Sequence, residues 1–396
     1  MQPVTTGEPM TITPPAAATI RRLVIRDFRN LAEVALDVPP PGLALVGDNG
    51  HGKTNLLEAI YYLHLFRSLR GARDVELVRF GATGFHVAAV VEGGRWDRIG
   101  AGFETARAGK ETGRRRIVLD GVPCERVSDA LGALPSVAFS PADVVLVSGG
   151  PAARRQWLDV VLASTSTRYL NALREYRAAL AQRNAALRAR SRSSPAHVWD
   201  VPLATHGATL AVARASLLTW AQPRARQHAT ALGERGSLEL RYRAGESMPP
   251  GADLADADHM RDAIAGALAA GRDRDVERGI THQGPHRDDV EVRLDGVSLR
   301  RYGSAGQQRT AAIVLRLLEC AWHRERSGRE PLLLLDDPVA ELDRGRAERV
   351  LALLTSEPSR GGQVILAVPR ADDIPAALTR LARHHVRDGV VEAYRA

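Results

Sequence analysis

Residues Gly47-Asp48-Asn49-Gly50-His51-Gly52-Lys53-Thr54 fit the pattern G-x-x-x-x-G-K-T in full, between the apolar run LALV (43–46) and an apolar-periodic segment that starts at Thr54. A strand, a glycine-rich loop and a helix in that order predict an α/β chain built to hold a phosphate. Glycines let backbone N–H groups curl around a β-phosphate, and the helix N-terminus adds positive potential. Lys53 is then placed to reach the β- and γ-oxygens, and the Thr54 hydroxyl to ligate Mg²⁺. Composition sharpens this reading. Of the 54 basic residues only Lys53 and Lys110 are lysines. In a chain that writes nearly every cation as Arg, Lys53 stands where a compact ammonium fits between phosphate oxygens and a planar guanidinium does not. Lys110 reads as an ordinary surface residue.

Length and composition set the frame for that loop. A chain of 396 residues, 44% hydrophobic, carries two or three domains with real cores and is not disordered, collagen-like or disulfide-built. Cys124 and Cys320 lie too far apart to suggest a disulfide framework or a zinc site. No apolar run approaches the roughly 20 residues that span a bilayer. Residues 1–18 are expected to be a disordered leader and the protein cytoplasmic. The net charge of +8 is uneven: residues 154–192 hold nine Arg against Asp159 and Glu175. Either that stretch is a solvated helix face or it touches phosphate backbones, with Arg174, Arg177 and Arg183 as the DNA-contact candidates.

Further along the chain, residues 20–26 and a segment around Leu36 read as strands, and 54–66 as a helix. Residues 85–91 and 98–122 alternate like antiparallel strands with turns at 93–94 and 112–113. From Arg154 the period changes. Leu162, Tyr169, Leu173, Tyr176, Leu180 and Leu187 follow a 3-4 spacing, and Trp199, Leu203, His206, Leu210, Ala213, Leu217 and Trp220 repeat it after the turn-like 191–196. Two antiparallel helices forming a short arm are predicted, with His206 a seam residue rather than a ligand. Helices near 257–270, 307–326 and 344–354 and apolar strands at 332–335 and 364–368 complete the pattern.

The strand LLLL (332–335) ends in Asp336-Asp337, a Walker B arrangement. Asp336 is the Mg²⁺ carboxylate, and Asp337 is placed to orient or deprotonate an attacking water, a catalytic role shared with Lys53. About thirty residues earlier, Ser304-Ala305-Gly306-Gln307 opens a helix and makes an anion site without a lysine. Such a loop suits two subunits that sandwich ATP, with Ser304, Gly306 and Gln307 acting in trans. Glu341-Leu342-Asp343 fits the D-loop lining that interface.

Taken in order, FRNL (28–31), GDNGHGKTN (47–55), FSPADVVLVSGGPAARRQWLD (139–159), YLNALREYRAALAQRN (169–184), GPHRDD (284–289), GSAGQQR (303–309) and LLLLDDPVAELD (332–343) closely resemble the bacterial RecF family. The resemblance spans about residues 19–370. It implies an ABC-type P-loop ATPase head, related to SMC heads, with an antiparallel β layer and an inserted helical lobe. The implied division is 19–150 and 281–396 for the two halves of the head and 151–280 for the lobe. It further implies an ATP-dependent homodimer that clamps single-stranded and gapped duplex DNA, weak DNA-dependent hydrolysis that releases it, and action with RecO and RecR in recombinase loading, recombinational repair, replication restart and SOS induction. Arg29-Asn30 would lie near the nucleobase. Two departures stand out: Ala142 replaces the Glu common in S-P-E-D, and Pro369 follows the last strand where transporter relatives have a switch histidine. An SMC-like or other ABC-type module acting on a different partner, or a DNA-binding module that uses ATP only as glue, remain the competing readings.

Overall fold

The computed structural model describes residues 17–106, 112–189, 196–245, 256–340, 342, 344–356 and 362–394. The segments 1–16 and 191–195, as well as Lys110, Glu341 and Asp343, lie outside the described residues, and with them most of the expected leader, the turn and the D-loop carboxylates. In chain order the strands are β1 (Thr19–Phe28), β2 (Leu31–Asp37), β3 (Gly42–Val46), β4 (Gly84–Glu92), β5 (Arg98–Thr105), β6 (Gly113–Leu119), β7 (Val122–Pro123) and β8 (Ser136–Phe139). They continue with β9 (Leu238–Arg243), β10 (Asp289–Leu294), β11 (Val297–Ser298), β12 (Leu332–Asp336), β13 (Val364–Val368), β14 (Ala382–Arg387) and β15 (Val390–Ala393). The longer helices are α1 (Lys53–Leu65), α2 (Pro151–Ala163), α3 (Thr167–Ala189), α4 (Asp200–Ala231), α5 (Ala257–Ala270), α6 (Ala305–Ser327) and α7 (Arg344–Ser356).

Three sheets organise the chain. The central one runs β15-β14-β3-β13-β12-β8, parallel except for the β14–β15 hairpin, and so draws strands from both chain ends. Its strands are continuous apolar runs because both faces are buried. Leu43, Leu45, Leu332, Leu334 and Ile365 face a core shared with α1 and with the antiparallel sheet β2-β1-β4-β5-β6-β7. Helix α1 lies in that core and is buried nearly all round, which explains why its apolar residues form no single stripe. Ala44, Val46, Leu333, Leu335 and Leu366 face the other way, into a core shared with the lobe helices.

The lobe differs from a projecting arm. Tyr169, Leu173, Tyr176, Leu203, Leu210 and Leu217 are buried in the same cluster as the second face of the central sheet, so the expected heptad seam is a seam of the head's own core. Nor is there one long first helix. Ser164 and Thr165 turn their hydroxyls back onto the carbonyls of Val160 (2.7 Å) and Val161 (2.8 Å), and Ser166 accepts the Tyr169 N–H (3.2 Å), ending α2 and opening α3. Strand β9 pairs antiparallel with β10, Val292 opposite Leu240, so a sheet straddles position 280 and ties the lobe to the second half of the head.

Candidate nucleotide site

Loop 47–52 lies at the carboxyl end of β3, where open parallel sheets place their ligands. Two glycines are required by contact. Gly47 has φ +157°, and a Cβ there would come within 2.2 Å of the Val386 carbonyl oxygen; Gly52 has φ +112°, and its Cβ would meet the Asn30 amide at 2.7 Å. Both neighbours are structural supports that arrive from elsewhere in the chain. Asn30 donates to the His51 carbonyl (3.2 Å) and accepts from Asn55 (2.8 Å). The turn of the β14–β15 hairpin closes the other side: Asp388 N–H donates to His51 Nδ1 and Gly389 N–H to the His51 carbonyl, each at 2.9 Å. Arg29 is paired with the fully buried Glu58 (3.0 Å), which also accepts from Ser68 (2.5 Å). Of the pair expected beside the nucleobase, Asn30 holds the loop and Arg29 ties α1 to the segment before β4 through Glu58 and the Glu76 carbonyl.

Lys53 is 7% exposed and folds back on its own loop, donating to the carbonyls of Gly47 (2.5 Å) and Asp48 (2.9 Å). Burial lowers its pKa, a shift opposed by the nearby Asp336, Asp337 and Asp48 carboxylates. Thr54 Oγ1 donates to Asp336 Oδ1 at 3.0 Å, bringing the end of β12 to the start of α1. Burial raises the Asp336 pKa against the Thr54 hydrogen bond and the charges of Arg70 and Lys53. Two hard oxygens this close, one from a hydroxyl and one from a carboxylate, suit Mg²⁺. Asp337 turns the chain away from the sheet with φ +46°, its N–H held by the Ala367 carbonyl at 2.9 Å.

Arg70 is a member of the site that sequence reasoning missed. It is exposed, donates to Asn55 Oδ1 (3.3 Å) and acts electrostatically on Asp336. It sits in the loop after α1, in no recognisable motif.

Ser304 caps α6 in a reciprocal capping box: its hydroxyl accepts the Gln307 N–H (3.2 Å), and the Gln307 side chain accepts the Ser304 N–H (2.9 Å). Ser304 is exposed at the start of that helix. The P-loop is supported by other elements: Asn30 and the 388–389 turn hold it. Ala142, the departure in S-P-A-D, is exposed and carries no acid into the site. Asp143 is held by the half-buried Arg316 of α6 (2.6 Å), fixing the turn after β8 to the helix that Ser304 opens. Pro369 directly follows β13, whose last carbonyl, on Val368, accepts the Gly47 N–H (3.4 Å).

The DNA-contact candidates separate into two kinds. Arg183 is not on the surface. It is fully buried and paired with Asp200 (2.8 Å) and Asp275 (2.6 Å) and hydrogen-bonded to Thr281 (2.9 Å), so it is corrected to a structural cation. Its partners lie outside the 154–192 window, where a charge count along the chain does not see them. Arg174 and Arg177 are exposed, although Arg174 pairs with Glu175 and Arg177 with Asp159. Asp159 also takes the buried Arg214 (2.8 Å) and the Tyr169 hydroxyl (2.6 Å), and Arg214 reaches the Pro285 carbonyl (2.8 Å). The GPHRDD segment thus serves as an anchor for the lobe. Its His286 accepts from the Tyr176 hydroxyl (2.7 Å) and donates to the Thr281 carbonyl (3.0 Å), and burial pushes its pKa down to about 4.

Among the described residues no helix is long and apolar enough to cross a membrane. Residues 19–391 match the family model for the RecF/RecN/SMC N terminal domain. The chain is 40% identical over 338 residues to the DNA replication and repair protein RecF of Synechococcus sp. (strain JA-3-3Ab), covering 84% of this chain and 87% of that one. To the protein of the same name from Anaeromyxobacter sp. (strain K) it is 39% identical over 378 residues, covering 93% and 97%. Among solved structures, the recombination mediator protein RecF bound to ATP superposes with a TM-score of 0.85 at 26% identity, covering 98% of this chain and 100% of that one. An SMC head bound to the C-terminal winged-helix domain of ScpA shares the fold, with a TM-score of 0.54 at 16% identity over 95% and 96%.

Proposed function

Because the chain belongs to the RecF family, we propose that it is an ATP-dependent DNA-binding protein of recombinational repair and replication restart, whose ATP-bound homodimer clamps single-stranded and gapped duplex DNA. The observation that carries this reading is the 3.0 Å contact between Thr54 and Asp336, with Lys53 buried beside them. When bound, Mg²⁺ would supply charge neutralisation between phosphate oxygens, held by Thr54 and Asp336. Lys53 exchanges two loop carbonyls for phosphate oxygens, and the N–H groups of 47–54 surround the phosphates. Asp337 orients or deprotonates the attacking water. Replacing it, Asp337→Asn, is expected to slow hydrolysis by roughly 10²–10⁴-fold while leaving ATP affinity within a few-fold, by steady-state turnover and nucleotide titration. Retained turnover would remove Asp337 from that role.

The second half of each site comes from the partner subunit through Ser304, Gly306 and Gln307, with Asp343 at the interface. Exposure of Ser304 supports this: a capped helix start open to solvent is free to meet a phosphate held by another copy. Ser304→Arg is expected to leave ATP binding by the monomer intact and abolish ATP-dependent dimerisation, read by sedimentation. A variant that still dimerises contradicts the sandwich. Slow hydrolysis stimulated by DNA, action in the cytoplasm and cooperation with RecO and RecR belong to the same proposal.

DNA contacts need cations that reach solvent. Arg174 and Arg177 do, although each also pairs with a carboxylate, and they are joined by Arg98, Arg114 and Arg116 on the antiparallel sheet, which are exposed and make no ion pair among the described residues. Changing Arg174 and Arg177 together to Ala should weaken binding to a gapped duplex and flatten its salt dependence by roughly one slope unit for each phosphate no longer neutralised. An unchanged slope would move the site to the sheet.

A further inference from the structure

We propose that the groove between α4 and the outer edge of β9 is a docking site for an extended acidic polypeptide, taken up by strand addition. Strand β9 ends the three-stranded sheet β11-β10-β9, and a groove of about 1090 Å³ opens between it and α4. Gln222 of α4 already behaves as a fragment of a missing strand. Its carboxamide accepts the Leu240 N–H (2.7 Å) and donates to the Leu238 carbonyl (3.0 Å), the two-point contact a neighbouring strand would make. Backbone groups alternate sides along a strand, so the Leu240 carbonyl and the Tyr242 N–H lie on that same outer edge. Neither has a hydrogen-bond partner among the described residues. An open edge of this kind is what proteins ordinarily cover or pair.

The chemistry of the edge selects the class of partner. It presents an acceptor followed by a donor, which a polypeptide backbone matches and a phosphodiester, with acceptors only, does not. Ser216, Thr219 and Pro223 on the α4 wall are exposed and short, leaving room for alternate side chains. Charge favours acids: Arg226 and Arg241 are exposed, make no ion pair among the described residues, and outnumber Glu239.

The test uses the full chain without ATP or DNA, so its outcome is independent of the nucleotide and DNA readings. A fluorescein-labelled octapeptide of alternating Val and Glu is titrated by anisotropy. Saturable binding is expected, weakened at least tenfold by methylating the alternate peptide nitrogens, by exchanging Glu for Lys, or by Thr219→Trp, which fills the groove from an exposed position. Nucleotide titration of Thr219→Trp checks that the fold is retained, and Ser216→Trp provides a second groove-filling variant. Hydrogen exchange at the Tyr242 amide should slow at least tenfold with peptide bound. Absence of saturation at millimolar peptide, equal binding of the methylated or Lys peptide, an unprotected Tyr242 amide, or displacement by duplex DNA would each overturn the proposal.

Discussion

An Arg183→Ala protein is expected to lose about 3–5 kcal/mol of stability, measured as a fall in the denaturant midpoint. The guanidinium is the meeting point of α3, of Asp200 at the start of α4, and of Asp275 and Thr281 ahead of GPHRDD. Asp275 is fully buried. Among the described residues, removing the cation leaves its carboxylate with the His282 hydrogen bonds, a backbone N–H at 3.0 Å and the ring at 2.8 Å. That uncompensated buried charge, rather than the worth of the pair itself, makes the loss large. Arg183→Ala with Asp275→Ala should therefore cost less than the sum of the two single changes, since the double change removes both charges. If Arg183 instead served DNA, its removal would spare stability and weaken binding.

The second large effect is at Lys53. Lys53→Ala is expected to weaken ATP binding roughly 10- to 150-fold, the equivalent of about 1.5–3 kcal/mol for a hydrogen bond to a charged group, by titration with a fluorescent ATP analogue. Stability should change little, because among the described residues the ammonium bonds to the Gly47 and Asp48 carbonyls of a loop that Asn30 and the 388–389 turn already hold. Lys53→Arg should not restore affinity, even in a chain that uses Arg at nearly every other cationic position. The guanidinium fork is too wide for a cation buried between loop carbonyls, where a compact ammonium fits. Wild-type affinity in either variant would place phosphate recognition elsewhere.

The parts of the site legible in the sequence are those whose signal is local. Strand, glycine loop and helix follow one another over 43–66, and LLLLDD carries both its strand and its carboxylates, so Lys53, Thr54, Asp336 and Asp337 could be named from spacing. Their neighbours could not. Asn30 and the Asp388–Gly389 turn reach the loop from outside the motif, the turn from the far end of the chain, and Arg70 acts on Asp336 from the segment after α1; β14 reads ARHHVR, with a burial pattern that leaves little apolar periodicity to see. Charge counting failed for the same reason at Arg183: the excess over 154–192 is real in the chain, while Asp200, Asp275 and Asp289, which take up Arg183 and Arg154, come from beyond it. The heptad stripe marked Tyr169, Leu173, Tyr176, Leu187, Leu203, Leu210 and Leu217, which are buried, and Leu180, His206, Ala213 and Trp220, which are half-buried, yet periodicity does not say what covers them. Here the cover includes the second face of the central sheet.

If one chain holds half of a composite ATP site, sedimentation velocity of the wild-type protein will show a monomer without nucleotide and a dimer once ATP and Mg²⁺ are added. A chain that binds ATP at the P-loop and remains monomeric with saturating nucleotide and a gapped duplex present would contradict it.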